Sequence, residues 1–395
     1  MKYEYGSSSK PFRNGLNRKS MQDFIKPKIL FIMHMPPPVH GAAMVGKYIH
    51  DSKVINDTFY CHYINLATAA DINDIGKWRI GKILNIFRLL IDIIRLVHSV
   101  KPDLVYMTPN AKGIAFFKEF IIVQFLKTLR CRVVIHYHNK GVVKKQDKTL
   151  YNLLYTRFFK QLKVILLANN LYSDIKKYVD RKNIYICPNG IPEYKLITKK
   201  KHTKFNILFL SNMMKEKGVF TLLDACKILM DRHIDFHCHF VGKWSDITEA
   251  DFNRYLLEHQ LAEKVTAYGA KYGDDKNEFF AVADLFVFPT YYNNECFPLV
   301  LLEAMQQNIA CIASDEGGIC NIIDNGKTGY IVPKKDAKIL ADKIEYLYNH
   351  PEVNEQMSEN GYNKYKERFT LSVFEYNFTE ILLEIVNNNK VIIND

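Results

Sequence analysis

The chain alternates between two kinds of segment through almost its whole length, and this alternation limits the fold more than any other feature. Short runs rich in β-branched and other apolar residues read as buried strands: KILFIMHM (28–35), DLVYMTP (103–109), RVVIHYH (132–138), KVILLAN (163–169) and NIYICPN (183–189). Longer amphipathic stretches at 79–100, 112–130 and 149–162 separate them and read as helices. Near-continuous apolar strands joined by helices build parallel sheets covered on both faces.

The pattern breaks once, at 188–204 (PNGIPEYKLITKKKHTK), where turn-forming residues meet a basic run. It resumes with FNILFLS (205–211), DFHCHFVG (235–242), KVTAYG (264–269), DLFVFPT (284–290), IACIAS (309–314) and GYIVP (329–333). A chain of 395 residues is too long for one core of usual size. The predicted fold class is therefore α/β, with two doubly wound, Rossmann-like domains whose parallel sheets face each other across a cleft. The predicted divisions are a basic tail (1–27), a first domain (28–190), a linker (191–204), a second domain (205–368) and a C-terminal segment (369–395) that is helical over 369–389. Ligands of open α/β sheets bind beyond the C-terminal strand ends, so the cleft is the predicted site.

Charge separates the two halves. Residues 1–200 carry 34 Lys+Arg against 13 Asp+Glu, a net of +21, whereas residues 201–395 carry 20 against 29, a net of −9. The first half should favour anionic partners. The eight cysteines form no CxxC pair and no zinc-ligand spacing with histidine, which suits reduced thiols in a cytosolic protein. The N-terminal stretch has no apolar segment of the secretory type, and no apolar run approaches the length of a membrane span.

The stretch NNECFPLVLLEAMQQ (293–307) concentrates the candidate chemistry, because Glu295 and Glu303 are its only charges. Pro298 suits the first turn of a helix, which places Glu295 on the preceding loop and Glu303 in the second turn. The free N–H groups of Phe297, Leu299 and their neighbours then make an anion-binding end. Ionised carboxylates accept hydrogen bonds and suit vicinal diols, which offer two donors. Taken alone, the pair also fits a plainer reading in which Glu295 only favours the helix dipole, worth about 0.3–1 kcal/mol.

ECFPLVLLEAM resembles the E-x7-E motif of the retaining glycosyltransferases of family 4, which have the two-domain GT-B architecture. EGGICNIIDNGKTGYIVP (316–333) is similar to the segment that follows that motif. SNMMKEKGVFTLLDA (211–225) is similar to the strand–loop–helix that begins the family's second domain, and PNGIP (188–192) to its hinge. The resemblance covers the second half nearly completely and the first half loosely. It implies that Glu295 contacts the transferred sugar, Glu303 the ribose hydroxyls, and Lys217 the departing diphosphate. It adds Gly41, Asn212, Tyr268, Gly269, Phe297 and Leu299 to the donor-binding set. Asn212 stands where the family often has arginine, with Lys215 as a neighbour that could compensate; Asn321 replaces a common glutamate and Cys296 a small residue.

In the first half, Gly41 follows the first strand at the beginning of a helix, where backbone can approach a ligand. His138 ends a buried strand and aligns with the histidine that the resembling family presents near the anomeric carbon. His136 lies one layer deeper on the same sheet face, and His40 is left open. Lys77, Arg79, Lys82, Arg88 and Arg95 punctuate an apolar helix, and Lys140, Lys144, Lys145 and Lys148 follow His138. A basic amphipathic helix beside the acceptor side suits docking on an anionic leaflet.

Walker, GxGxxG and HExxH motifs are missing, and a glutamate inside a helix is not placed for a glycosidase pair. The resemblance thus implies a metal-independent hexosyltransferase with no cofactor, taking a nucleoside-diphosphate sugar, UDP-sugar first, to a glycan or lipid-linked acceptor in polysaccharide, O-antigen or capsule assembly. The implied location is the cytoplasm, peripheral to the inner face of the cell membrane. An epimerase or phosphorylase on the same fold would differ in its product. A nucleic-acid-binding protein fits the charge but has no recognisable motif, so nucleic acid is not an expected partner.

Overall fold

The computed structural model describes residues 26–38, 40–66, 80–200 and 202–388, with 80–86 described in backbone only. Its first sheet takes β1 (Lys28–Met33), β2 (Tyr60–Asn65), β3 (Leu104–Met107), β4 (Val133–Tyr137), β5 (Lys163–Leu166) and β6 (Ile184–Ile186) in the order β2-β1-β3-β4-β5-β6. The second takes β7 (Phe205–Leu210), β8 (Phe236–Val241), β9 (Val265–Ala267), β10 (Leu285–Phe288), β11 (Ala310–Ser314) and β12 (Gly329–Val332) in the order β12-β11-β10-β7-β8-β9. Every pairing in both is parallel. The expected pair of doubly wound sheets is present.

Side-chain alternation sorts the layers of the first sheet. Ile29, Phe31 and Met33 point to a core shared with α1 (Gly41–Asp51) and α2 (Lys53–Thr58). Leu30 and Ile32 point to the opposite core, shared with α3 (Ile80–Val100), α4 (Gly113–Thr128) and α5 (Thr149–Phe159). The sequence reading omitted β2. That strand lies at the sheet edge, with Tyr60 exposed and Cys61, His62 and Tyr63 half-buried, so it lacks the apolar run that marks the inner strands.

Around the second sheet lie α6 (Val219–Asp231), α7 (Glu249–Glu258), α8 (Gly273–Val282), α9 (Leu299–Gln306), α10 (Ile319–Ile322), α11 (Ala337–Asn349) and α12 (Pro351–Arg368). The last helix, α13 (Leu371–Asn387), returns to the first sheet, where Phe374, Phe378, Leu382, Ile385 and Val386 complete the core around Ile29 and Phe31. The two crossings between sheets run side by side: Ile191 N donates to Phe369 O at 3.0 Å, and Leu371 N to Ile191 O at 2.7 Å.

The strand orders also fix where a ligand can sit. The first sheet grows from β1 to β2 on one side and resumes with β3 on the other, and the second grows from β7 through β8 and β9 on one side and resumes with β10 on the other. Each reversal opens a crevice at the C-terminal strand ends. The loops after β1 and β3 therefore face the loops after β7 and β10.

Candidate functional site

A cleft of about 700 Å³ occupies that junction, with walls from both sheets. On the second wall, residues 215–217 turn just beyond β7 and continue into α6 through Gly218 at φ +86°. A Cβ on Gly218 would collide with the Pro289 carbonyl, so glycine lets this turn close against the end of β10. The closure brings Lys217 Nζ to 2.5 Å from Glu295 Oε2, with the two side chains only 14% and 11% exposed. The ammonium also lies 4.7 Å from the Tyr292 ring centre and 5.4 Å from that of Phe288. Both rings give the ammonium cation–π contacts in a partly desolvated place.

Glu295 and Glu303 sit on either side of the N-terminus of α9. Pro298 is the N-cap and offers no side-chain cap, so the first amides of the helix are open. Glu303 lies in the second turn, with Oε1 2.9 Å from Lys276 Nζ and Oε2 buried without a partner. Phe297 is buried against Phe369 at 5.7 Å between ring centres. The Asn294 amide donates to the Tyr292 hydroxyl at 3.0 Å, and its Oδ1 is again buried without a partner. Buried orphan acceptors in a cleft wall are costly unless a ligand supplies donors.

On the first wall, Gly41 opens α1 and His40 caps it, its Nδ1 accepting from Ala43 N at 3.3 Å. The His40 ring thus closes the helix end and also lines the cleft. His138 follows β4 directly and also lines the cleft. Burial, with His34 and His40 close by, pushes its pKa down to about 3, so the imidazole is neutral at neutral pH. His136 is fully buried, 2.9 Å from the Tyr106 hydroxyl through Nδ1.

The cleft thus gathers Gly41, His138, Lys217, Glu295, Phe297, Leu299 and Glu303 of the expected residues. Others lie elsewhere. Asn212 is exposed at the end of β7 and does not line the cleft. Tyr268 and Gly269 follow β9 but stay off the cleft wall, with the Tyr268 ring stacked on His239 at 5.6 Å. Their neighbours Lys271 and Tyr272 line it instead. Lys215 opens onto a separate hollow of about 290 Å³ beside Asp246, away from the position where it would replace an arginine. Lys144 and Lys145 lie on the loop after β4, and Arg88 is exposed on α3. Lys82 falls where only backbone is described, and Lys77 and Arg79 lie outside the described residues.

Sequence reasoning missed Lys112, Lys271, Lys276 and Asn294 in the walls. Asn294 stood next to a singled-out glutamate; the three lysines sit in ordinary polar stretches, and only the fold brings them in. Among the described residues no group of three or more His, Cys, Asp or Glu is placed to hold a metal ion. No helix among them is long and apolar enough to cross a membrane.

Residues 190–364 match the family model described as Glycosyl transferases group 1. The chain is 28% identical over 169 residues to the capsular polysaccharide biosynthesis glycosyltransferase CapM of Staphylococcus aureus, covering 43% of each chain. It spans about half the length of the curated relatives it matches. A glycosyltransferase from Rickettsia africae has the same fold, with TM-score 0.73 and 19% identity over 93% of this chain and 100% of that one. HepE of Anabaena, solved in complex with UDP, superposes with TM-score 0.68 at 16% identity over 90% and 100%. The fold is GT-B.

Proposed function

We propose that this protein is a retaining glycosyltransferase. It moves a hexose-type sugar from a nucleoside-diphosphate sugar, UDP-sugar first, to a glycan or lipid-linked saccharide in bacterial surface-polysaccharide assembly. One observation carries the reading: two lysine–glutamate pairs, Lys217–Glu295 and Lys276–Glu303, flank the open N-terminus of α9 at the strand-order reversal. A diphosphate fits between the lysines at the helix end. A diol on each side would satisfy the carboxylates. The UDP held by HepE and the capsule assignment of CapM support the choice of donor and pathway class.

In this mechanism the incoming diphosphate draws Lys217 away from Glu295, which frees that carboxylate for the sugar hydroxyls. The anomeric C–O bond breaks and its electron pair leaves with the diphosphate. The acceptor hydroxyl bonds to the same face of the sugar, and its proton passes to the departing phosphate oxygen. Lys217, Lys276 and the α9 dipole supply fixed positive charge where negative charge develops, which is why the reaction runs without a bound metal. Neutral His138 offers a hydrogen bond near the reacting carbon without adding a competing cation. The basic first half supports docking of the enzyme on the cytoplasmic face of an anionic membrane.

Calorimetry in EDTA with UDP, GDP, ADP, NAD and a short single-stranded DNA tests the reading. One nucleoside diphosphate should bind, and Glu303→Ala should weaken it by roughly 10- to 100-fold, the cost of losing a charge-assisted hydrogen bond. Binding of DNA alone would overturn it. Product analysis then separates a glycoside from an epimerised nucleotide sugar or a sugar phosphate.

A further inference from the structure

On the first wall, the loop after β4 and the turn at Asn169–Asp174 form one braced prong. Asn139 anchors the loop on one side, its Oδ1 accepting from Ala111 N at 2.7 Å and its Nδ2 donating to Pro109 O at 3.2 Å. On the other side, the buried Asp174 carboxylate accepts from the N–H groups of Gly141, Val142 and Val143 at 2.8, 3.1 and 3.1 Å. Gly141 stands at φ +134°, and a Cβ there would come within 2.6 Å of Lys112 Cδ, so glycine lets the loop lie against that side chain. Lys140 sits between these anchors, and Asp174 ties its loop to the turn that carries Asn170.

The prong reaches the second wall at two adjacent residues. Lys140 Nζ pairs with Glu316 Oε1, and Asn170 Nδ2 donates to Gly317 O. The side chains of Lys140 and Glu316 are only 21% and 4% exposed, so salt screens the pair little. Glu316 has a second cation, with Lys334 Nζ 2.9 Å from its Oε2. Burial pushes the Glu316 pKa up, but hydrogen bonds from Lys140 and Lys334 outweigh it and hold the carboxyl below its usual value. Lys334 follows β12 and so stands on the same wall as Glu316. If Lys140 withdraws, the buried carboxylate therefore keeps a partner, and the contact across the cleft can break and re-form without stranding a charge.

The residues that receive the prong lie directly on the glutamate segment. Gly318 N donates to Cys296 O at 2.6 Å. Gly317 stands at φ +57°, and a Cβ there would come within 2.2 Å of the Glu295 carbonyl oxygen. Backbone rests on backbone here, so a displacement of this loop is passed to Glu295.

We propose that Lys140 is a positioning residue for sugar transfer: its ion pair with Glu316 latches the two walls together and, through Gly317 and Gly318, fixes where Glu295 stands in the cleft. This rests on the transferase reading and adds to it a named contact that closes the site. Lys140 acts through Glu316 and Glu295, and the diphosphate is left to Lys217 and Lys276.

The test compares full-length wild type with Lys140→Glu, Lys140→Gln, Lys140→Arg and Lys334→Gln. Small-angle X-ray scattering without ligand reads the latch. Lys140→Glu sets a carboxylate against Glu316 and should shift the radius of gyration upward, with Lys140→Gln between it and wild type. Lys140→Arg keeps the pair, and Lys334→Gln removes only the partner on Glu316's own wall, so both should stay at the wild-type value. Cleavage of UDP-glucose and UDP-galactose, with UDP binding in parallel, reads the positioning. Lys140→Glu should lower turnover at saturating donor by roughly 10- to 100-fold, the cost of a misplaced reacting group, and Lys140→Arg should recover most of it. UDP affinity should stay within about twofold, because UDP sits on the second wall. An unchanged radius of gyration in Lys140→Glu overturns the latch. A fall in UDP affinity as large as the fall in turnover overturns the positioning role and makes Lys140 a donor-binding group. If wild type cleaves neither sugar nucleotide, the donor reading is what fails, and the scattering comparison still decides the latch.

Discussion

The two sheets have closely related strand orders but opposite electrostatic habits. In the second, each glutamate at the cleft has a lysine fixed against it: Lys217 on Glu295, Lys276 on Glu303. In the first, the cleft wall presents His40 and His138, whose pKa values burial lowers, and Lys112, which has no ion-pair partner among the described residues. Local ion pairing makes the second wall a preset cradle for one kind of anion. The first wall has no such lysine–glutamate pair of its own among the described residues: its Lys140 reaches across the cleft to Glu316 of the second. The contrast teaches that a shared layer architecture fixes where a site lies, while the pairing state of its charges decides what enters.

Four measurements would break or sharpen this contrast. The largest effect should come from the helix that ties the first sheet to the chain's end. Phe378 is fully buried, 5.1 Å from Tyr106 ring to ring, so Phe378→Ala should cost about 3–5 kcal/mol. Chemical denaturation should show the loss in the transition that also exposes Tyr106, and a loss confined to the second sheet would contradict the assignment of α13. Next, Lys217→Ala should slow sugar transfer by about 100- to 1,000-fold, equivalent to about 2.7–4 kcal/mol of transition-state stabilisation. UDP affinity should fall much less, and an equal fall in both would reduce Lys217 to a binding group.

Acid should act mainly on the first wall. His136 is buried and neutral, and His138 is held down to about 3. An unfolded histidine takes up a proton near pH 6.5, so stability is intact above that value and declines as pH falls below it. At pH 5 the loss from His138 is about 2 kcal/mol, and His136 adds to it in the same direction. Melting curves from pH 7 to pH 5 should steepen accordingly, and His138→Gln should recover about one histidine's share. The smallest effect concerns exposed charge. Arg88→Gln should weaken binding to anionic vesicles by less than about 1 kcal/mol, and vesicle binding independent of anionic lipid would remove the membrane from the account.

Most of the architecture was legible because inner parallel strands are apolar on both faces. The run around KILFIM announces β1, whereas YCHYIN at the edge carries its half-buried polar residues without a period and was passed over. The glutamates were legible for a local reason: their spacing around Pro298 puts both beside one helix end. Lys276 was not legible, because it lies 27 residues before Glu303 and meets it only across the folded cleft wall. Tyr268 and Gly269 were placed on the donor wall by resemblance, but the wall is formed by the residues just after them. Lys112 was hidden twice over, since nothing in its own neighbourhood marks it and its groove comes from Gly141.

The return of α13 has a consequence for how the protein comes into being. The face of the first sheet around Ile29, Phe31 and Tyr106 is completed by Phe374, Phe378 and Leu382, on a helix that follows every strand of the second sheet along the chain. The second sheet has all its strands and can close as a unit while this helix is still being made. The first sheet is thus finished after the second, although its strands precede it along the chain. While the second sheet is being made, the apolar face of the first waits for its cover.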